Sequence, residues 1–184
     1  QETLTEIVSV AWTLARRNGL AGFSLRELAA ELGMRAQSLY SYVDSKHAIY
    51  DAMFADGYRQ FAELQAQWQL TGEALADLRT IGREFMRFCT DDPVRFQLMF
   101  QRTIPGFEPS PESYSISVAC LAQVAEHLVA LGIDDAEALD LFTALGTGLA
   151  DQQIANDPGG DRWMRLVDRA AEMFYAHVAS TSRP

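Results

Sequence analysis

Apolar residues recur at intervals of three and four along almost the whole chain, and alternation with a period of two is absent. The first spacing places apolar side chains along one face of an α-helix, whereas a half-buried β-strand needs strict alternation. Capping residues, prolines and glycines separate the periodic stretches. The pattern therefore predicts an all-α protein of about nine helices.

Residue pairs mark several helix ends. Ser24 with Glu27 three residues later forms a capping box, and Gly33 is the residue type that follows a helix most readily. Ser110-Pro111 joins an N-cap to a proline in the first helical turn. The predicted helices cover about residues 2–18, 24–32, 36–43, 46–68, 73–90, 93–102, 111–131, 135–156 and 161–179.

The second and third helices are joined by a short turn centred on Gly33, which is the spacing of a helix-turn-helix. Leu39 and Val43 face inward in the third helix. A glutamine pairs in bidentate fashion with adenine and an arginine with guanine, so the outward residues are candidates for contacting bases. They are Arg35, Ala36, Gln37, Ser38, Ser41 and Tyr42. An ordinary corner between two helices is the alternative.

Three further residues are candidates for phosphate contacts: Ser24, Tyr40 and Lys46. Net charge is −10 overall, but the first fifty residues hold five bases and five acids. A generally basic, nonspecific nucleic-acid or membrane surface is excluded. Only the first fifty residues can approach a polyanion without strong repulsion.

The segment "FSLRELAAELGMRAQSLYSYVDSKHAIYDAMF", residues 23–54, closely resembles the DNA-binding domain of TetR/AcrR-family transcriptional regulators. The matching positions include the Ser24 cap, Gly33, Leu39-Tyr40 and Ser45-Lys46. The resemblance implies a helix-turn-helix domain over residues 1–45 and an effector-binding and dimerisation domain over 46–184. The fourth helix, about residues 46–68, connects the two.

Two positions depart from the family pattern. Arg35 stands where the family often has a serine or threonine cap, and Tyr42-Val43 stands where many relatives have histidine before an aromatic residue. Operator preference therefore does not carry over from the family. "DDPVRFQLMF" (91–100) and "GTGLADQQIANDPGGDRW" (146–163) are similar to effector domains of actinobacterial type.

Aromatic and methionine residues are frequent in the fifth to eighth predicted helices, and most of them belong to the core. The family resemblance implies a cavity among them for a small, largely apolar effector. The candidate pocket residues are Phe85, Phe88, Met99, Tyr114 and Phe142. No cofactor is expected.

A dimer is expected because one short helix contacts only about three or four bases, which is too little discrimination for a genome. A two-fold dimer places two such helices about 34–36 Å apart on a palindromic DNA operator. The eighth and ninth helices carry apolar strips beyond the ones a single core needs. The predicted interface residues are Ala144, Gly148, Ala155, Met164, Ala171 and Tyr175. Burial of both strips within one chain is the alternative.

The sequence and the resemblance together predict a ligand-responsive repressor rather than an enzyme. The chain has no G-x-S-x-G, P-loop or HExxH motif, its histidines lack metal-ligand spacing, and no membrane span or signal peptide is visible. We expect a cytoplasmic protein without a metal site. A constitutive DNA-binding regulator is one alternative. A thiol sensor is another, and it requires Cys89 or Cys120 to be exposed.

Overall fold

The computed structural model describes residues 2–181, and these form nine α-helices, one short 3₁₀ helix and no strand. The all-α prediction is confirmed. The helices are α1 (Glu2–Asn18), α2 (Leu25–Glu31), α3 (Ala36–Leu39), α4 (Lys46–Gln65), α5 (Ala74–Asp91), α6 (Pro93–Phe100), α7 (Pro111–Ala130), α8 (Ala136–Asn156) and α9 (Val167–Thr181). The 3₁₀ helix, Met164–Leu166, precedes α9.

Two helices differ most from their predicted bounds. The third was expected over about 36–43, but α3 ends at Leu39 and continues as turns, in which the Tyr42 amide donates to the Leu39 carbonyl at 3.0 Å. The ninth was expected from about residue 161. The side-chain oxygen of Gln153 instead accepts from the amides of Trp163 and Met164 at 2.9 and 3.2 Å, which fixes the chain in a turn before α9 begins.

The described residues pack as two units. The first consists of residues 2–60 and 94–118, and the second of residues 61–93 and 119–181, so α4 and α7 supply residues to both. The expected functional division at residue 45 is a different one and stays a prediction. By packing, α6 and the start of α7 group with the helix-turn-helix.

The core of the first unit comes from the apolar faces of α1, α2, α3 and α4. Ile7, Leu14 and Ile49 are among its fully buried side chains. Trp12 on α1 donates its indole N–H to the Asp56 carboxylate on α4 at 2.8 Å, which fixes the position of one helix against the other.

The core of the second unit lies where α5, α8 and α9 meet. Leu78 and Phe174 are at most 1% exposed there. Two ion pairs at the surface join α5 to α9: Arg79 with Glu172 at 2.5 Å, and Arg83 with Asp168. On α8 and α9, several of the described residues that face away from this core are exposed.

Candidate nucleic-acid interface

Hydrogen bonds fix both ends of α2, and those at its end set the turn into α3. At its start, Ser24 accepts from the Glu27 amide at 3.2 Å, and the Glu27 carboxylate accepts from the Ser24 amide at 2.7 Å. At its end, Gly33 has a φ of 64°, and the Met34 amide donates to the Ala29 carbonyl at 3.0 Å. A glycine takes this left-handed conformation at little cost, so α2 stops here and the chain turns into α3.

Two inward side chains hold α3 in place. Leu39 is fully buried and Val43 nearly so, and α2 contributes Leu28 and Ala29 to the same core. The helix lacks a side-chain cap, since Arg35 occupies the cap position and makes no cap hydrogen bond. Packing by Leu39 and Val43 therefore has to supply most of the stability of α3, because four residues are too few to form an isolated helix.

The six candidate base-contacting residues are all exposed, on one segment. They share the outward side of residues 35–42, opposite Leu39: Arg35, Ala36, Gln37, Ser38, Ser41 and Tyr42. We call this set the 35–42 face. The Ser41 hydroxyl donates to the Ser38 carbonyl at 2.6 Å, whereas Tyr42 extends into solvent with 52% of its surface exposed.

The three phosphate candidates differ in what they already bind. Tyr40 is exposed. The Ser24 hydroxyl donates to the Glu27 carboxylate at 2.9 Å, and these hydrogen bonds lower the pKa of Glu27. The Lys46 amine donates to the Ala21 carbonyl at 2.8 Å and lies 4.7 Å from the centre of the Phe23 ring.

Burial of the Lys46 amine lowers its pKa, an effect that the charge of Glu27 opposes. The lysine therefore fastens the start of α4 to the turn before α2. Sequence reasoning missed this structural role, because the contact joins residues 25 apart that no local motif connects.

A cleft of about 210 Å³ lies within the first unit, between α4, α6, α7 and the loop that joins the last two. Of the five candidate pocket residues, Met99 and Tyr114 line it. Ten further residues line it, three of them from the Pro- and Gly-containing loop at 103–110. These residues are Phe54, Tyr58, Leu98, Phe100, Gln101, Arg102, Ile104, Phe107, Pro109 and Ser117.

The other three candidate pocket residues lie in the second unit. Phe85 and Phe88 have ring centres 5.8 and 5.1 Å from that of Phe61, and Phe142 packs on Phe174 at 5.1 Å. The structure does not bring these three to the cleft. Their assignment to an effector pocket stays a prediction.

The candidate dimer residues fall into two groups. Ala144, Gly148 and Ala155 on α8 are exposed, and a Cβ placed on Gly148 meets no atom within 4 Å. In contrast, Ala171 is buried in the core of its own unit. Met164 and Tyr175 are half-buried, and Tyr175 packs against that core.

Three large apolar side chains beside the candidate dimer residues are exposed and were not predicted: Leu141 on α8, Leu166 just before α9 and Met173 on α9. Met173 is the most exposed, at 65%. We call these three residues, with Ala144, Gly148 and Ala155, the α8–α9 face.

Residues 7–53 match the profile of the tetR family of bacterial regulatory proteins. The matched stretch contains the capping box, the Gly33 turn and the 35–42 face. Residues 7–53 therefore resemble the helix-turn-helix segment of tetR-family regulators.

The chain is similar in sequence to HTH-type transcriptional regulators. One such relative, the HTH-type transcriptional repressor DrrR1 of Streptomyces coeruleorubidus, is 38% identical over 109 residues, which are 56% of this chain and 38% of that protein. The chain spans about two fifths of the length of the curated relatives it matches.

Solved structures share the fold over nearly the whole chain. The putative regulatory protein SCO4313 superposes with a TM-score of 0.73 at 21% identity, over 100% of this chain and 96% of that one. AibR, solved in complex with isovaleryl coenzyme A and operator DNA, gives a TM-score of 0.67 at 18% identity, over 94% and 96%. Among residues 2–181, no helix is long and apolar enough to cross a membrane.

Proposed function

We propose that this protein is a DNA-binding transcriptional repressor that acts in the cytoplasm, binds a palindromic operator as a homodimer, and is released by a small, largely apolar effector. In this proposal residues 1–45 contact DNA, and residues 46–184 carry the effector and dimer functions. The 35–42 face is the observation that carries the proposal, because its polar side chains are exposed on a segment that Leu39 anchors.

The chemistry of the 35–42 face suits the edges of bases in a major groove. The carboxamide of Gln37 offers a donor and an acceptor in the geometry that adenine requires, and the guanidinium of Arg35 offers two donors to guanine. Both side chains are exposed. Tyr40, next to this face, adds a hydroxyl for the phosphate backbone.

The α8–α9 face supports a homodimer. Leu141 on α8, Leu166 just before α9 and Met173 on α9 are exposed, and exposed apolar patches mark interaction sites. A two-fold axis would place the same two helices of a second copy against them. Two DNA-binding segments then share one operator, which supplies the specificity that one short segment lacks.

The cleft in the first unit supports effector control, because it shares residues with the helix that leads out of the helix-turn-helix. Phe54 and Tyr58 of α4 line it, as does Phe107, whose ring centre lies 5.7 Å from that of Tyr50. Tyr50 in turn donates to the Leu20 carbonyl, just before α2, at 2.5 Å. A ligand that binds more tightly when these groups move would shift the protein away from its DNA-binding state.

Two alternatives differ in what they require. A constitutive DNA-binding regulator would bind its operator equally well whatever fills the cleft. A thiol sensor needs an exposed cysteine with a low pKa. Cys89 and Cys120 are both buried, and burial raises the pKa of Cys120, which favours the effector proposal over the thiol sensor.

The test is to select DNA from a random pool with the wild-type protein and to measure affinity by gel shift. Gln37→Ala should lower affinity at least about fivefold, because a lost bidentate contact to a base costs about 1–3 kcal/mol. Gln123→Ala, which changes an exposed glutamine on α7, is the matched control and should bind as the wild type does.

Failure to enrich any DNA sequence would contradict the proposal, as would equal affinity of Gln37→Ala and the wild type. Thermal unfolding of both variants checks that they fold. Lys46→Ala is a poor probe of phosphate binding, because it also removes the contact to Ala21.

A further inference from the structure

The cleft in the first unit has an apolar interior and a single cation in its lining. We propose that it binds a short-chain aliphatic carboxylate, with the chain among the apolar residues and the carboxylate paired with Arg102. This names the chemical class of the effector, so it rests on the effector part of the proposed function.

The apolar residues that line the cleft favour binding of a hydrocarbon chain. Phe54, Leu98 and Met99 are each nearly buried in its wall, and Phe107 closes it from the loop. Tyr58 brings a hydroxyl, but that group already donates to the Met99 carbonyl at 3.2 Å. A polar ligand group placed in this part would lose its hydrogen bonds to water without replacement, whereas a methylene chain gains from burial.

The volume limits the length of the chain. The cleft, at about 210 Å³, is smaller than the roughly 300–1,000 Å³ of a pocket for a drug-sized ligand. A short chain of the length of hexanoate therefore suits it better than a long one.

The charged and polar residues in the lining of the cleft favour a ligand with a negative charge. Arg102 is exposed, and none of the ion pairs among the described residues involves it. The lining contains no Asp or Glu, although acids outnumber bases 25 to 15 in the chain. A guanidinium binds a carboxylate through two parallel hydrogen bonds. The hydroxyl of Tyr114 lies in the same lining and adds a further donor, whereas the hydroxyl of Ser117 already donates to the Tyr114 carbonyl at 2.7 Å.

The experiment is calorimetric titration of the full chain with hexanoate and with 1-hexanol, which has the same chain and no charge. Hexanoate should bind at least about tenfold more tightly than hexanol, since an ionised acceptor strengthens the hydrogen bonds from arginine. Arg102→Gln should remove that preference and leave hexanol binding unchanged. Arg59→Gln, an exposed arginine of α4 outside the lining, is the charge-matched control and should keep the preference.

Ser117→Leu narrows the cleft and should weaken both ligands. Hexanoyl coenzyme A is titrated in parallel, because its thioester has no carboxylate to pair with Arg102. Tighter binding by hexanoate than by the thioester supports the proposal, whereas tighter binding by the thioester would overturn the carboxylate assignment. Equal binding of hexanol and hexanoate, an Arg102→Gln variant that keeps the preference, or no binding by any of the three would overturn the proposal.

A gel shift on the same samples separates this inference from the proposed function. Hexanoate that binds in the calorimeter but leaves DNA binding unchanged supports the ligand class and contradicts the effector role. If the wild-type protein binds no DNA at all, that result contradicts the proposed function alone, because the calorimetric measurement needs no DNA.

Discussion

The 35–42 face and the α8–α9 face both leave large side chains in solvent, but their chemistry is opposite. On the first, Gln37, Arg35 and Tyr42 present amide, guanidinium and phenol groups. On the second, Leu141 and Met173 present only hydrocarbon and a thioether. Exposed polar groups suit a hydrated, charged partner such as DNA, whereas exposed apolar groups suit a surface that excludes water. Exposure alone thus does not identify the partner, and the type of side chain does.

The two faces also differ in what supports them. A four-residue helix anchored mainly by Leu39 carries the 35–42 face. The α8–α9 face lies on two long helices that share a core with α5, and ion pairs also join α9 to α5. A single buried substitution should therefore disrupt the first face, whereas the second should tolerate changes at its surface.

Leu39→Ala is expected to have the largest effect on folding. It removes a fully buried side chain, and such a change costs about 2–5 kcal/mol of the free energy of unfolding. Operator binding should be lost with it, since the helix loses its anchor. Urea unfolding measures the first effect and gel shift the second. A loss below about 1 kcal/mol would show that α3 has other support.

Gly148→Glu is expected to weaken self-association about 100-fold, because it places an unpaired charge in the middle of the proposed interface. The protomer itself should remain folded, since a Cβ at this position meets nothing and Glu favours helix more than Gly does. Analytical ultracentrifugation measures the dimer constant.

The matched control is Gly146→Ala, which changes a glycine two residues earlier on the same helix. A Cβ there approaches the Phe85 ring at 3.2 Å, so the ring has to shift slightly, and the change should leave the α8–α9 face and the dimer constant unaltered. If Gly148→Glu dimerises as the wild type does, the interface lies elsewhere.

Asp77→Asn tests the hydrogen bonds that the buried Asp77 carboxylate accepts from the turn before α5. Burial would raise the pKa of Asp77, but hydrogen bonds from the amides of Thr71 and Gly72, both at 2.8 Å, and from the Thr71 hydroxyl outweigh it and lower the pKa. Replacing one carboxylate oxygen by an NH₂ group places a donor opposite a donor. This should lower the free energy of unfolding by about 1–3 kcal/mol.

The pH dependence follows from the direction of the Asp77 shift. A carboxyl with a lowered pKa in the folded state stabilises the protein above its ordinary pKa of about 4, and that contribution is lost as the pH falls through the folded value. The free energy of unfolding should therefore fall between about pH 5 and pH 3, and less steeply in Asp77→Asn. Equal slopes for both proteins would contradict this assignment.

Arg83→Ala is expected to have the smallest effect. Its pair with Asp168 is about half exposed, so the loss should be below about 1 kcal/mol and should shrink further in salt. Thermal unfolding at two salt concentrations measures it. A salt-independent loss of several kcal/mol would mean that the pair, rather than the apolar core, holds α5 to α9.

Local patterns in the sequence predicted the helices and the 35–42 face, because helix caps and outward positions depend on neighbouring residues. Gly33 and the Ser24–Glu27 capping box are examples. Contacts between distant segments were not predictable in the same way. Periodicity shows that Ala171 lies on an apolar face, but it does not show whether a second chain or the protein's own core covers that face; in the structure the core covers it.

The candidate pocket shows the same limit. Met99 and Tyr114 meet at the cleft, whereas Phe85 packs on Phe61 in the other unit. All are aromatic or methionine residues at helical spacing, and nothing in that spacing distinguishes the wall of a cleft from a core. Arg102 was missed because its importance comes from the absence of acids around the cleft, which only the folded chain reveals.

Hydrogen–deuterium exchange of the wild-type protein, with and without its selected DNA, tests the central claim most directly. If the 35–42 face binds DNA, added DNA should slow exchange most strongly in residues 35–43, in the turn that follows them and in the first residues of α4. Protection by DNA that is confined to other parts of the chain, with residues 35–43 exchanging at the same rate in both samples, would contradict the account.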